Sequence, residues 1–76
     1  MLWDRDRPKR LRRGIKSTLG KQATFLHDYV PSSQPGQPAA VAVRTEEPPG
    51  GEAGQALLRL DMYCESTTEG WVYWSA

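Results

Sequence analysis

Apolar positions in this chain follow two rhythms, and the change from one to the other divides it. In the first part, Leu11, Ile15 and Leu19 recur every four residues. That spacing lines side chains along one stripe of an α-helix. Pro8 suits a first helical turn, where its missing N–H costs nothing. Asp4 and Asp6 stand just upstream, where negative charge favours the helix dipole, and Gly20 follows where a C-terminal cap belongs. Gly14 opposes the helix by ~1 kcal/mol relative to Ala. The balance predicts a helix from about Pro8 to Leu19.

After Lys21 the rhythm reads as strands. KQATFLHDYV is rich in β-formers and ends at Pro31, and AAVAVRTE carries two valines on one face. In ALLRLDMYCE, Leu58, Leu60, Met62 and Cys64 alternate with Arg59, Asp61, Tyr63 and Glu65. A period of two is the pattern of a half-buried strand. STTEG reads as a turn, with Gly70 available for positive φ, before the final run WVYWSA. Breakers concentrated at 31–38 (PSSQPGQP) and 46–54 (EEPPGGEAG) predict loops. The expected fold is α+β: one basic N-terminal helix on a small antiparallel sheet of about four strands. The simplest order is a meander, open or barrel-like. Residues 1–21 form a basic segment and residues 22–76 a β-rich body within one domain.

Charge sharpens that division. Up to Lys21, eight cations (Arg5, Arg7, Lys9, Arg10, Arg12, Arg13, Lys16 and Lys21) face only Asp4 and Asp6, a local charge of +6. Beyond it, Arg44 and Arg59 face seven acids, a local charge of −5. The near-neutral total conceals a docking segment attached to an oppositely charged body. At 76 residues the chain buries only about 60% of its unfolded surface. Cys64 is the single cysteine, so no disulfide forms within the chain, and a reducing compartment fits better than a secreted one. His27 and Cys64 are too few soft ligands for a metal, and no cofactor is implied. No apolar run approaches the ~20 residues of a membrane span, and the N-terminus lacks the apolar region of a secretory signal. The chain reads as intracellular, cytoplasmic or nuclear, or as part of a particle assembled inside a cell.

Catalytic motifs are missing: there is no Gly-rich phosphate loop, nucleophile elbow or zinc-binding His pair. On a strand, His27 and Asp28 point to opposite faces, which disfavours an acid–base pair. Cys64 falls on an apolar face, away from the electropositive, accessible setting a reactive thiol needs. The chain is therefore read as non-enzymatic.

Two groups of residues point to binding. The first is the cationic segment, because guanidinium groups match phosphate oxygens in bidentate geometry. The second is aromatic: Trp71, Tyr73 and Trp74, with Tyr63 on the preceding strand. Alternation sets Trp71 and Tyr73 on one face and Trp74 on the other. Either both faces are covered, one by the helix and one by a loop or second subunit, or one face forms a stacking or protein-binding platform. The cations fit nucleic-acid phosphates and an acidic protein surface equally. The first expectation is a small nucleic-acid-binding protein. The alternative is an assembly or adaptor protein, for example a small viral or phage particle component, with head-to-body self-association. An inhibitor of a larger complex is a weaker third reading. A basic helix lying on an anionic bilayer is disfavoured, since the narrow Leu11–Ile15–Leu19 stripe is better used on the sheet.

Overall fold

The four-residue stripe forms the helix expected of it. In a computed structural model, which describes residues 6–76, helix α1 spans Arg7–Leu19 with Pro8 in its first turn. Ile15 and Leu19 are buried and Leu11 is half-buried against the same core. Asp6 is the N-cap residue, but its side chain makes no capping hydrogen bond. Asp4, whose charge was expected to favour the helix start, lies outside the described residues. A single 3-10 turn, Gly20–Gln22, follows.

Four strands form one antiparallel sheet: β1 (Thr24–Phe25), β2 (Val41–Thr45), β3 (Tyr63–Thr67) and β4 (Gly70–Ser75). The class is α+β, and the sheet is open, not closed into a barrel. Nor is its order that of a meander, because β4 lies between β2 and β3 in the sequence β1-β2-β4-β3. Composition accounts for the exchange. The last strand carries Trp71, Val72, Tyr73 and Trp74 and takes a place with neighbours on both sides. The third, with Glu65, Ser66 and an exposed Tyr63, takes the edge. Gly70, at φ +119°, opens β4 directly after the turn, in a conformation that strains residues bearing a Cβ.

The run ALLRLDMYCE is not one strand. Its first half belongs to a second helix, α2 (Glu52–Leu58), which begins inside the segment expected to be a loop. The apolar sequence there satisfies both periods. A strand would bury Leu58, but Leu58 is 41% exposed while Leu57 is fully buried. Ala53 and Leu57 lie four apart, with Ala56 and Leu60 packed beside the same core. Burial of Leu57 in the core decides in favour of that spacing. The helix is started from outside itself. Gly51 supplies no side-chain cap, so the Glu47 carboxylate accepts the Ala53 N–H at 2.7 Å. A turn in which Gly51 N–H donates to the Pro48 carbonyl at 2.9 Å brings Glu47 there. Such caps contribute ~1 kcal/mol.

Both helices cover one face of the sheet. Ile15, Leu19, Ala53 and Leu57 meet Val41, Val43, Met62 and Tyr73 in one apolar cluster. Contact is closest at Gly54, where a Cβ would lie 2.5 Å from the Tyr73 hydroxyl oxygen, 2.7 Å from the Pro48 carbonyl oxygen and 2.8 Å from Pro49 Cα. The opposite face holds Ala42, Val72 and Trp74, and Trp74 is only 4% exposed. Residues 26–40 cover it. KQATFLHDYV thus supplies only a two-residue strand, because the chain leaves the sheet edge through Asp28 at φ +58°. It crosses the second face with Pro31 buried and rejoins the sheet where Ala40 N–H donates to the Ser75 carbonyl at 2.9 Å.

The two helical glycines predict opposite outcomes. Gly14 has no neighbour within 4 Å of a built Cβ, so Gly14→Ala is expected to stabilise the fold by up to ~1 kcal/mol. Gly54→Ala forces a methyl against the Tyr73 hydroxyl and the Pro48–Pro49 backbone and is expected to destabilise it by ~1–3 kcal/mol. Thermal unfolding checks both, each kcal/mol amounting to ~4–8 °C in a domain of this size. A Gly54→Ala variant at least as stable as the unaltered protein contradicts the close approach of α2.

Candidate functional site

The cations of the N-terminal segment do not act as one group. Arg5 lies outside the described residues, as does Trp3. On α1, Arg12, Lys16, Lys9, Arg13 and Arg10 follow one another around an arc of about 160° at 100° per residue, and all five are exposed. The burial of Ile15 and Leu19 sets this arc, which begins next to them at Arg12 and runs around to the solvent side of the helix. Arg7 turns away from it. Its Nη1 donates to Ser75 Oγ at 2.8 Å and to the Ala76 carbonyl at 3.4 Å, tying the start of α1 to the end of β4. Lys21 lies past the helix, in a shallow groove of about 370 Å³ shared with Arg44, Glu46 and Glu47. Carboxylates compete there with any anion that approaches.

Two members of the arc are held by the body. Arg12 Nη2 donates to the Ala40 carbonyl at 3.1 Å, which uses one of the five N–H donors of its guanidinium. Lys16 Nζ lies 5.8 Å from the centre of the Phe25 ring, within the range of cation–π attraction. Between these side chains and the start of β2 is a groove of about 220 Å³, lined by Arg12, Lys16, Phe25, Leu26, His27, Val41 and Ala42. His27 therefore sits at a cationic rim, in the bend beyond β1 and not on a strand.

The aromatic candidates divide differently from the cations. Tyr73 is fully buried under the helices, and Trp71 is half-buried beside the same cluster. Trp74 is buried on the loop-covered face. A surface platform needs exposed rings, so Tyr63, at 61% exposure, is the member of the set available to a partner. Its ring stacks on Trp74 across the β3–β4 pair, with centroids 4.8 Å apart and planes tilted by 34°. This contact seals one side of Trp74 and is worth ~0.5–1.5 kcal/mol beyond the area it buries.

Among the described residues the Tyr73 hydroxyl has no hydrogen-bond partner. Burial pushes its pKa far above the usual phenol range, helped by the Cys64 thiol, which acts on it without reaching hydrogen-bond geometry. Burial likewise raises the Cys64 thiol above its ordinary value, and contact with Tyr73 offsets part of that rise. A half-buried thiol with a raised pKa is a poor nucleophile. Among the described residues no group of three or more His, Cys, Asp or Glu side chains is placed to hold a metal. Nor, among them, is any helix long and apolar enough to cross a membrane.

One polar cluster holds the covering loop. Glu65 accepts hydrogen bonds from the Tyr29 hydroxyl, the Ser32 hydroxyl and, at 3.3 Å, the Ser32 N–H. The Ser32 and Tyr29 hydroxyls pull the Glu65 carboxyl below its ordinary value. Burial, followed by the neighbouring carboxylate, pushes the Tyr29 phenol up to about 12. The loop held this way begins with Leu26 and His27 of the groove and ends at Ala40, the acceptor for Arg12. Sequence reasoning missed Glu65, Phe25 and Leu26 as contributors. Their signal is an aromatic and an acid far apart in sequence, meaningful only once β1 and β3 are placed.

No protein-family model, curated protein or solved structure matches the chain.

The depressed Glu65 pKa fixes a sign. Its contribution to stability is present above the unfolded value of about 4.3 and is lost as pH falls through the lower folded value. Glu65→Gln is expected to melt below the unaltered protein at neutral pH, with the gap closing under about pH 4. Melting temperatures across an acid series test this, and a gap of constant size rules out the ionised carboxylate as the clasp.

Proposed function

We propose that the protein is a small, non-enzymatic binding protein whose α1 docks on nucleic-acid phosphates through Lys9, Arg10, Arg12, Arg13 and Lys16. The observation that carries this reading is the continuous arc of five exposed cations on a helix backed by the core. A helix already ordered by Ile15 and Leu19 loses little backbone entropy on binding, unlike a flexible basic arm. Arg12, steadied by the Ala40 carbonyl, presents its remaining donors in a set direction. Such docking reads charge and backbone geometry, with no base-edge recognition required. It belongs with a cytoplasmic or nuclear site of action.

Binding of this kind releases counterions. Five phosphate contacts on duplex DNA predict a slope of log affinity against log salt of about −4.5, each contact contributing about −0.9. Lys9 and Arg13 make none of the body contacts described for Arg7 and Arg12, and they stand one turn apart. Replacing both by Gln is expected to make the slope shallower by about two contacts' worth, near −2.7, with folding unchanged. Gel retardation or anisotropy across a salt series measures it. Retention of the full slope, or no binding to nucleic acid at low salt, refutes the reading and leaves an acidic protein surface as the partner for this face.

A further inference from the structure

We propose that the groove beside α1 takes an unpaired nucleobase, so that the nucleic acid bound is single-stranded. This rests on the phosphate-docking reading above and adds the class of ligand. The groove joins two chemistries within the reach of one nucleotide. Its rim is cationic, formed by Arg12 and Lys16, with the exposed imidazole of His27 at the mouth. Its wall is apolar: Phe25 and Leu26 are half-buried, and Val41 lies at the base of β2.

A nucleotide in a single strand has a matching pair of parts. Its phosphate meets the rim, and its base, freed from a partner strand, presents an apolar ring face to Phe25 and Leu26. Stacking of bases on aromatic side chains beside a positive groove is the general mode of single-strand binding. A duplex offers phosphates to the same rim but keeps its bases stacked inside, so the apolar wall gains nothing from it. The volume of about 220 Å³ is below the ~300 Å³ lower end of drug-sized ligand pockets, consistent with one base and not with a larger ligand. Lys16 Nζ lies 5.8 Å from the centre of the Phe25 ring, so the ammonium has to swing off the ring face toward the phosphate as a base stacks in its place. The clasp at Glu65 keeps residues 26–40 against the body, so the wall is built before ligand arrives.

The test compares a labelled thymidine oligonucleotide with the duplex it forms with its adenosine complement, on the full chain at low salt. The single strand is expected to bind about tenfold more tightly, within the range of one stacked base. Phe25→Leu keeps an apolar side chain but removes the ring face. It is expected to lower single-strand affinity about tenfold while leaving the duplex affinity and both salt slopes unchanged. Equal affinity for the two forms, or a Phe25→Leu variant that binds the single strand as the unaltered protein does, overturns the groove assignment while leaving phosphate docking intact. Failure of both oligonucleotides to bind overturns both readings. The comparison on the unaltered protein decides the matter even if Phe25→Leu does not fold.

Discussion

Burial of β4 on both faces is the constraint on which this fold depends. Val72, Tyr73 and Trp74 are each at most 4% exposed, and alternation sends them to opposite sides of the sheet. Such a strand must be covered twice, and a chain of 76 residues has little to spare for the task. The helices take one side. The other is closed by residues 26–40, a segment without helix or strand, which stays in place through hydrogen bonds to Glu65 and its own return to the sheet at Ala40. A loop thus serves here as the second cover of the sheet, in a domain whose size limits how much surface it can bury.

The same constraint positions the basic face. Covering Tyr73 places α1 and α2 side by side, and the stripe of Ile15 and Leu19 then determines which cations look outward. Arg7 is withdrawn to the end of β4 and Lys21 is set among carboxylates. What remains is a smaller and better-defined surface than the count of cations suggests. Covering Trp74, meanwhile, pulls the chain off the edge of β1 and leaves Phe25 and Leu26 beside that surface. The cationic face and its apolar neighbour are by-products of how one strand is buried.

Much of this was legible in the sequence where a single period dominates. The stripe of α1 and the turn at Gly70 follow from spacing and from the φ that glycine tolerates. The two-sided cover of the aromatic strand was one of the alternatives its alternation left open. Legibility failed where two periods coexist. Leu58, Leu60, Met62 and Cys64 support a strand, while Ala53, Leu57 and Leu60 support a helix, and only the tertiary demand for Leu57 in the core separates them. It failed again for strand order, since pairing β4 with β2 depends on the non-local competition for the central place. The candidate site was half visible: charge marks α1, but nothing in the local sequence joins Phe25 to Lys16 or Glu65 to Tyr29.

The capping of α2 by Glu47 bears on cooperativity. Seven residues are too few to stay helical in water on their own, and this helix lacks even a cap of its own. Its first turn is completed by a carboxylate that arrives only when the 48–51 turn has closed, and its length is stabilised by packing in the shared core with α1, Met62 and Tyr73. The helix thus has no stability separable from that of the sheet. Whatever loosens β4 dissolves α2 in the same step.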